Sequence, residues 1–396
     1  MDEKGRLFNE SLQKIQLPFR LSGLPLYSTE KFTFKLRILS FLHLFFLSSG
    51  ALGAFHVCWV KAMAGEDFVT VTVMAPCMCF SSLAGFKALH LILNRSKICE
   101  IIDKLFAIEE ETKNYIVDDI YNKERNSLHK VITYFKAVYI VLLIAFMISP
   151  FSIMAKNYFE GDFELVYPFT LSYPFDINHL ELYPAVYLHQ VECTIAVFLF
   201  AGAADSFFYT CCLYISIQFK MLQLQFEILI PDDRSQIRLK FEDVKDKFVE
   251  LVEWHEKLIS LTNLLEVVYG KITLYNFVIS SVLICLTLFD VTVIKDVSLA
   301  LTFLFFLTTC FVQISLLCYF GDKVTQASTE VSDAVYNSLW YKCDISVGKH
   351  LLIVLMRSQK PCKLTALGFA DVNQRSFMRI MSNAWSYFAL LKTMYH

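Results

Sequence analysis

Along this 396-residue chain, long stretches almost free of charge alternate with connections rich in it. Six stretches reach the roughly 20 apolar residues that a helix needs to cross a hydrocarbon layer. They run Ile38 to Val60, Phe68 to Phe86, Ala137 to Ala155, Val186 to Ile217, Ile272 to Phe289 and Val297 to Phe320. Five contain no Asp, Glu, Lys or Arg; the fourth carries Glu192 and Asp205. Backbone in lipid must satisfy its own hydrogen bonds, so these stretches predict helices. A seventh, Ser376 to Leu391, is shorter and carries Arg379 and Asn383. Its polar face has to meet protein or water, which suggests a pore or an interior position. The expected fold is all-α, a seven-transmembrane helical bundle.

The connections carry helical periodicity of their own. After Pro231, the residues Ile237, Phe241, Val244, Phe248, Leu251, His255 and Leu258 recur at spacings of four and three with charges between them. They predict an amphipathic helix within a linker over 218–266, packed on its neighbours, with His255 as a core residue. The block 321–363 is too long to be structureless. Val331, Ala334, Val335, Ser338 and Leu339, then Trp340 and Tyr341, then Leu351 to Met356, read as helix. Together the two blocks predict a helical layer outside the membrane, suited to joining subunits, before a final segment 364–396.

Composition agrees: 56% of residues are hydrophobic, mean hydropathy is +0.48, and Phe alone numbers 37. Few soluble folds look like this. Lys and Arg number seven in the tail through Arg37, eight over Lys87 to Lys130, seven over 218–266 and six over Lys323 to Lys363. The alternate connections hold only Lys61, Lys156 and Lys295. This bias predicts a cytosolic N-terminus and, with seven spans, an extracellular C-terminus. No signal peptide is expected before the first span. The sequons at Asn9 and Asn94 fall on the predicted cytosolic side and read as chance. The twelve Cys show no secreted disulfide framework and no paired metal spacing; packing is their expected role, with Cys58 and Cys193 near the outer face able to pair. Phosphate loops, zinc-protease and nucleophile-elbow motifs are missing. Hence no enzyme, cofactor, metal or nucleic-acid partner is expected.

Several runs then resemble one family. Ala334 to Tyr341 (AVYNSLWY), Met356 to Pro361 (MRSQKP), Ser376 to Ile380 (SFMRI) and Ser386 to Leu391 (SYFALL) are similar to the C-terminal third of insect odorant receptors. So are Trp254-His255-Glu256 and Ala204 to Phe208. One departure is Ala384-Trp385, where these receptors usually show Ser-Tyr. The resemblance covers the whole topology, with motifs concentrated after about residue 254. It implies the odorant-specific tuning subunit of a ligand-gated, non-selective cation channel in the plasma membrane of olfactory neuron dendrites. It further implies a heterotetramer with the shared odorant receptor co-receptor, cytosolic helices holding the subunits and the last span lining the pore.

In that frame the last helix places Arg375, Arg379, Ser382, Asn383 and Ser386 on one face, opposite Phe377, Ile380, Ala384, Phe388 and Leu391. The expected pore residues are Ser382, Asn383 and Ser386, with Leu390 or Leu391 as an apolar constriction. Arg375 and Arg379 would stand at the cytosolic mouth. Tyr336, Trp340 and Tyr341 are the expected subunit anchor. A small volatile apolar ligand calls for an apolar site toward the outer leaflet. The candidates are Val73, Cys77, Phe146, Met147, Phe151, Tyr187, Val191, Ile195 and Phe303. Tyr- and Pro-rich Lys156 to Pro184 forms either a lid over it or a surface hairpin. Asp205, deep in the fourth span, is either a functional carboxylate or a hydrogen-bond partner inside the bundle. A G-protein-coupled chemoreceptor would need an outside N-terminus and the Asp-Arg-Tyr motif that this chain lacks. A transporter would show repeats, and a gustatory-receptor-type channel is separated only by the runs quoted above.

Overall fold

The computed structural model describes residues 7–24, 26, 34–115, 117–161, 164–177, 179–231 and 240–395. Among them the chain is helical: α1 (Leu7–Leu21), α2 (Phe34–Met63), α3 (Phe68–Thr72), α4 (Ala75–Leu93), α5 (Arg95–Glu111), α6 (Asp118–Glu160), α7 (Tyr183–Glu227), α8 (Phe241–Val293), α9 (Val297–Asn337), α10 (Ile345–Ser358) and α11 (Gln374–Tyr395). An isolated bridge, Thr365 to Asp371, is the β-structure described. Six helices or helix pairs are long and apolar enough to span a membrane, and α11 completes a seven-helix bundle. At 1.5 Å per residue the 53 residues of α8 far outrun a hydrocarbon core of about 30 Å, so its first half projects beyond the membrane.

Burial sorts the helices into a centre and a rim. Within its apolar window α7 is 78% buried, against 22% for α2 and 28% for the α3–α4 pair and for α6. A helix that is apolar all round belongs in the core, while one-sided burial leaves the other face to lipid. Phe207, Phe208 and Tyr209 of α7 are fully buried, and the Tyr209 ring stacks on Phe320 of α9 at 5.0 Å. All twelve cysteines are free thiols, and Cys193 donates to the Phe46 carbonyl at 3.1 Å instead of pairing with Cys58.

Two features outside the spans differ from the expectation. The tail that was counted only for its charges forms α1, whose Phe8, Leu12, Ile15 and Phe19 are buried against the bundle. Gly23, at φ +75°, turns the chain from α1 toward α2 where a Cβ would lie 2.6 Å from the Leu36 carbonyl oxygen. The block 321–363 is two helices, because α9 runs on to Asn337, breaks, and resumes as α10 with Asp344 accepting from the Ile345 N–H. In the linker, Ile237 lies outside the described residues. Val244, Phe248, Leu251, His255 and Leu258 are buried on α8, and His255 meets the Phe219 ring edge-on.

A buried carboxylate holds α1 in place. Glu109 accepts from the Phe8 N–H at 3.2 Å and from the Tyr121 hydroxyl at 2.7 Å. Burial pushes its carboxyl above the usual carboxylate range, partly offset by those two donors. A raised pKa means that the folded state holds the proton more tightly, so stability falls as pH rises through the folded value. Glu109→Gln, which keeps an acceptor oxygen, is therefore expected to melt higher than the wild type at pH 8 and equally at pH 4, in thermal melts of the detergent-solubilised receptor.

Candidate functional site

Beneath one end of the bundle lies an apolar cavity of about 70 Å3. Met74, which caps the start of α4, and Cys77, Met78 and Ser81 on one face of that helix recur at the three- and four-residue spacing that aligns helical side chains. Cys193, Thr194, Val197 and Phe198 come from α7 with the same period, Phe146 from α6 and Phe306 from α9. The fifth helix to line it is α2, through Leu47, Gly50, Ala51 and Ala54. Small residues there permit a close approach: a Cβ on Gly50 would stand 3.0 Å from Cys193 Sγ, and one on Gly53 would stand 3.1 Å from the Ser172 carbonyl oxygen.

The segment between α6 and α7 closes the top. Phe169 and Leu171 dip into the cavity. Gln190 fastens Phe169 twice, accepting its N–H at 2.9 Å and donating to its carbonyl at 3.0 Å. The Ser172 N–H donates to the Gly53 carbonyl at 3.2 Å. His189 bridges Ser49 Oγ at 2.8 Å and the Tyr173 hydroxyl at 2.9 Å. Tyr183 donates to the Val166 carbonyl at 3.0 Å. This segment is therefore a latched lid. Polar chemistry inside is sparse: the Thr194 hydroxyl already donates to the Gln190 carbonyl at 2.8 Å, and Ser81 is the other hydroxyl on the wall. Such a site recognises shape and apolar surface, with one hydroxyl free to accept.

Of the nine candidates from the sequence, Cys77 and Phe146 line this cavity. Phe303 is fully buried behind it, its ring 6.3 Å from that of Phe146. Tyr187 instead ties α7 to α6 by donating to the Met147 carbonyl at 2.5 Å, and Phe151 packs on its ring at 5.3 Å. Val73 and Val191 are half-buried outside the lining, and Ile195 lines a separate groove on the flank. Sequence reasoning missed the α2 wall, Met74 and Met78, and the α7 set from Cys193 to Phe198. The i+3 and i+4 neighbours of Cys77 were the available signal on α4; the small residues of α2 offered none.

Asp205 takes the structural side of its two readings. Lys87 Nζ donates to Asp205 Oδ1 at 2.7 Å and Gln313 Nε2 to Asp205 Oδ2 at 2.8 Å, joining α4, α7 and α9. Lys87, counted with a connection on charge alone, is fully buried.

On α11, Ser376, Ile380, Ala384 and Phe388 are buried, while Arg375, Arg379, Ser382, Asn383, Ser386 and Leu390 are exposed. Leu391 is half-buried and packs with Phe388 on Cys285 and Phe289 of α8. Tyr336, Trp340 and Tyr341 are exposed around a hollow of about 630 Å3 between the end of α9 and α10.

Comparison with known proteins places this geometry. The family model "7tm Odorant receptor" matches residues 68–385. Odorant receptor 67c of Drosophila melanogaster is 25% identical over 341 residues, 83% of this chain and 82% of that protein. Odorant receptor 85b of the same fly is 34% identical over 147 residues, 37% of this chain and 38% of its own. The insect olfactory receptor OR5 from Machilis hrabei, solved in complex with eugenol, superposes with a TM-score of 0.83 at 14% identity, covering 99% of this chain and all of its own.

Proposed function

The chain belongs to the 7tm odorant receptor family, and from that premise we propose that it is the odorant-binding subunit of a ligand-gated, non-selective cation channel. It is a membrane receptor for odorants and not an enzyme. The finer reading rests on one observation, the cavity whose walls are almost wholly apolar and whose lid is latched by Gln190 and His189. A volatile molecule offers such a cavity dispersion and at most one or two hydrogen bonds. The complex of the Machilis receptor with eugenol supports a small ligand of this kind. Sites for drug-sized molecules run to about 300 Å3 or more, so ligand must displace side chains; Met74 and Met78 are the adaptable ones.

The charge bias supports a cytosolic N-terminus and an extracellular C-terminus, which puts the lidded end outside. An N-glycan on Asn94 would overturn that orientation. Within it, residues 1–320 hold the pocket and the linker 218–266, 321–363 the cytosolic anchor, and 364–396 the pore helix. The exposed face of α11 with Ser382, Asn383 and Ser386 is the conducting surface, and Leu390 with Leu391 the apolar constriction. The exposed aromatics Tyr336, Trp340 and Tyr341 dock on the neighbouring subunits of a heterotetramer with the odorant receptor co-receptor, in the dendritic membrane of an olfactory neuron. Coupling has a physical route: α4 lines the pocket and packs on α8, and α8 carries Cys285 and Phe289 against Phe388 and Leu391 of α11.

Expression with and without the co-receptor under voltage clamp tests this. Odorant-evoked current should require the partner and survive G-protein blockade. Phe146 lines the cavity, and an aromatic pair made with a ligand ring is worth about 0.5–1.5 kcal/mol. Phe146→Ala should then raise the half-maximal odorant concentration by roughly tenfold while leaving currents from a co-receptor agonist intact. An equal loss for both agonists would assign Phe146 to the fold or gate.

A further inference from the structure

A second hollow, of about 250 Å3, opens on the flank of the bundle between α1, α6 and α7. Its floor is concave because α7 presents Gly202 and Ser206 there, and its walls include Leu143 of α6 and Leu17 and Leu21 of α1. Leu17, Leu21 and Ile140 at its rim are exposed; Lys136, donating to the Lys14 carbonyl at 2.6 Å, marks its end near α1, and in a spanning bundle the part along Ile140 and Leu143 of α6 faces lipid hydrocarbon. One side chain, Phe198, lines both this groove and the cavity under the lid. On the groove side its ring stacks on Tyr139 at 5.0 Å, and on the cavity side it meets Phe80 at 6.2 Å. Gly202, one turn along α7, places no side chain beneath Tyr139; even a Cβ there would only touch the ring at 3.4 Å.

We propose that this groove is an antechamber through which a small apolar ligand dissolved in the bilayer reaches the cavity, passing Phe198. The inference rests on the reading of the cavity as the odorant site. It follows from comparing the two walls. Opening the lid breaks the pair of hydrogen bonds between Gln190 and Phe169, the Ser172 hydrogen bond to Gly53 and the His189 bridge together. Opening the flank asks for rotation of one aromatic side chain toward a space already present. The occupant is the ligand because the groove offers it apolar surface and because the bilayer concentrates it. Each methylene favours hydrocarbon over water roughly fourfold, so a molecule of several carbons meets the receptor mainly from the membrane side.

The native thiols of the cavity, Cys193 and Cys77, allow a test that needs no known odorant. Benzyl methanethiosulfonate, an apolar reagent of odorant size, converts a thiol to a mixed disulfide and releases methanesulfinate. Its reaction with Cys193 is followed by peptide mass spectrometry on membranes carrying the full receptor with its co-receptor. Leu143→Trp and Gly202→Val fill the groove without lining the cavity, and each should slow labelling of Cys193 about tenfold. Gln190→Ala, which loosens the lid, should change it less than twofold. Unfolding exposes thiols and speeds labelling, so slower labelling cannot come from loss of the fold. Wild-type labelling rates in both groove variants overturn the proposal, as does a tenfold acceleration by Gln190→Ala. A lipid chain held permanently in the groove would likewise leave wild type and variants equally slow. If the groove variants slow labelling but no volatile in a broad panel protects Cys193, the route stands and the cavity is not the odorant site.

Discussion

Lys87→Met should remove about 3–5 kcal/mol of stability, the cost of leaving one partner of a buried ion pair without the other. Lys87 has no solvent exposure, and Asp205 is 1% exposed. Their 2.7 Å contact, with Gln313 on the second carboxylate oxygen, is the polar tie between α4, α7 and α9. Without the ammonium, a carboxylate in the middle of the bundle retains one amide donor and no counter-charge. The variant should melt well below the wild type in detergent and reach the cell surface poorly. Lys87→Met combined with Asp205→Leu removes both charges, and replacement of a buried pair by apolar groups is often neutral. The double variant should therefore recover most of the lost stability. A single variant as stable as the wild type would show that water reaches Asp205 and that the pair is not a dry tie.

That pair also shows where sequence reading stops. Asp205 was legible because a carboxylate inside an apolar span is costly and must have a reason. Its partner was not, since Lys87 sits at the end of an apolar run and its charge reads equally well as the start of a connection. The spans themselves were legible, because lipid leaves the backbone no alternative to helix. The N-terminal helix was written in the spacing of Phe8, Leu12, Ile15 and Phe19, four, three and four apart, but charge in the tail hid it. The cavity was half legible. Apolar residues on α4 and α6 could be named, whereas Gly50, Ala51 and Ala54 of α2 contribute by being small, a property that acquires meaning only once α7 is alongside. Tyr187 and Phe151 illustrate the opposite error of depth: they lie at the right end of the bundle, but Phe169 and Leu171 descend from the lid and occupy the space beside the cavity.

The lid and the flank place opposing demands on the same helix. Gln190, Cys193, Thr194 and Phe198 lie within nine residues of α7, and between them they fasten the lid, line the cavity and close the groove. Since α7 is the most buried helix of the bundle, it is the rigid element, and ligand must be accommodated by what moves against it. The rim helices α2, α4 and α6, packed on one side only, are the parts free to yield. Of these α4 is the one that also packs on α8, which carries α11.

Gly321→Val should abolish gating with little change in odorant binding. On α9, a Cβ at Gly321 would lie 2.5 Å from the Val372 carbonyl oxygen, 2.6 Å from Val372 Cγ1 and 2.8 Å from its Cβ. Val372 is fixed in turn, its N–H donating to the Leu364 carbonyl at 2.8 Å, and α11 begins two residues later. A clash with backbone cannot be relieved by a rotamer, so either α9 or the root of α11 must shift. Overpacking of this kind costs typically 1–3 kcal/mol, which the bundle can survive, but the displacement falls where α11 is anchored. The cavity lies elsewhere on α9, at Phe306, about 22 Å away along a helix that rises 1.5 Å per residue. Protection of Cys193 from benzyl methanethiosulfonate by an odorant should persist in Gly321→Val while odorant-evoked current disappears. Current with the wild-type dose dependence would mean that α11 is seated by its contacts with α8 alone and that its junction with α9 carries no part of the gating motion.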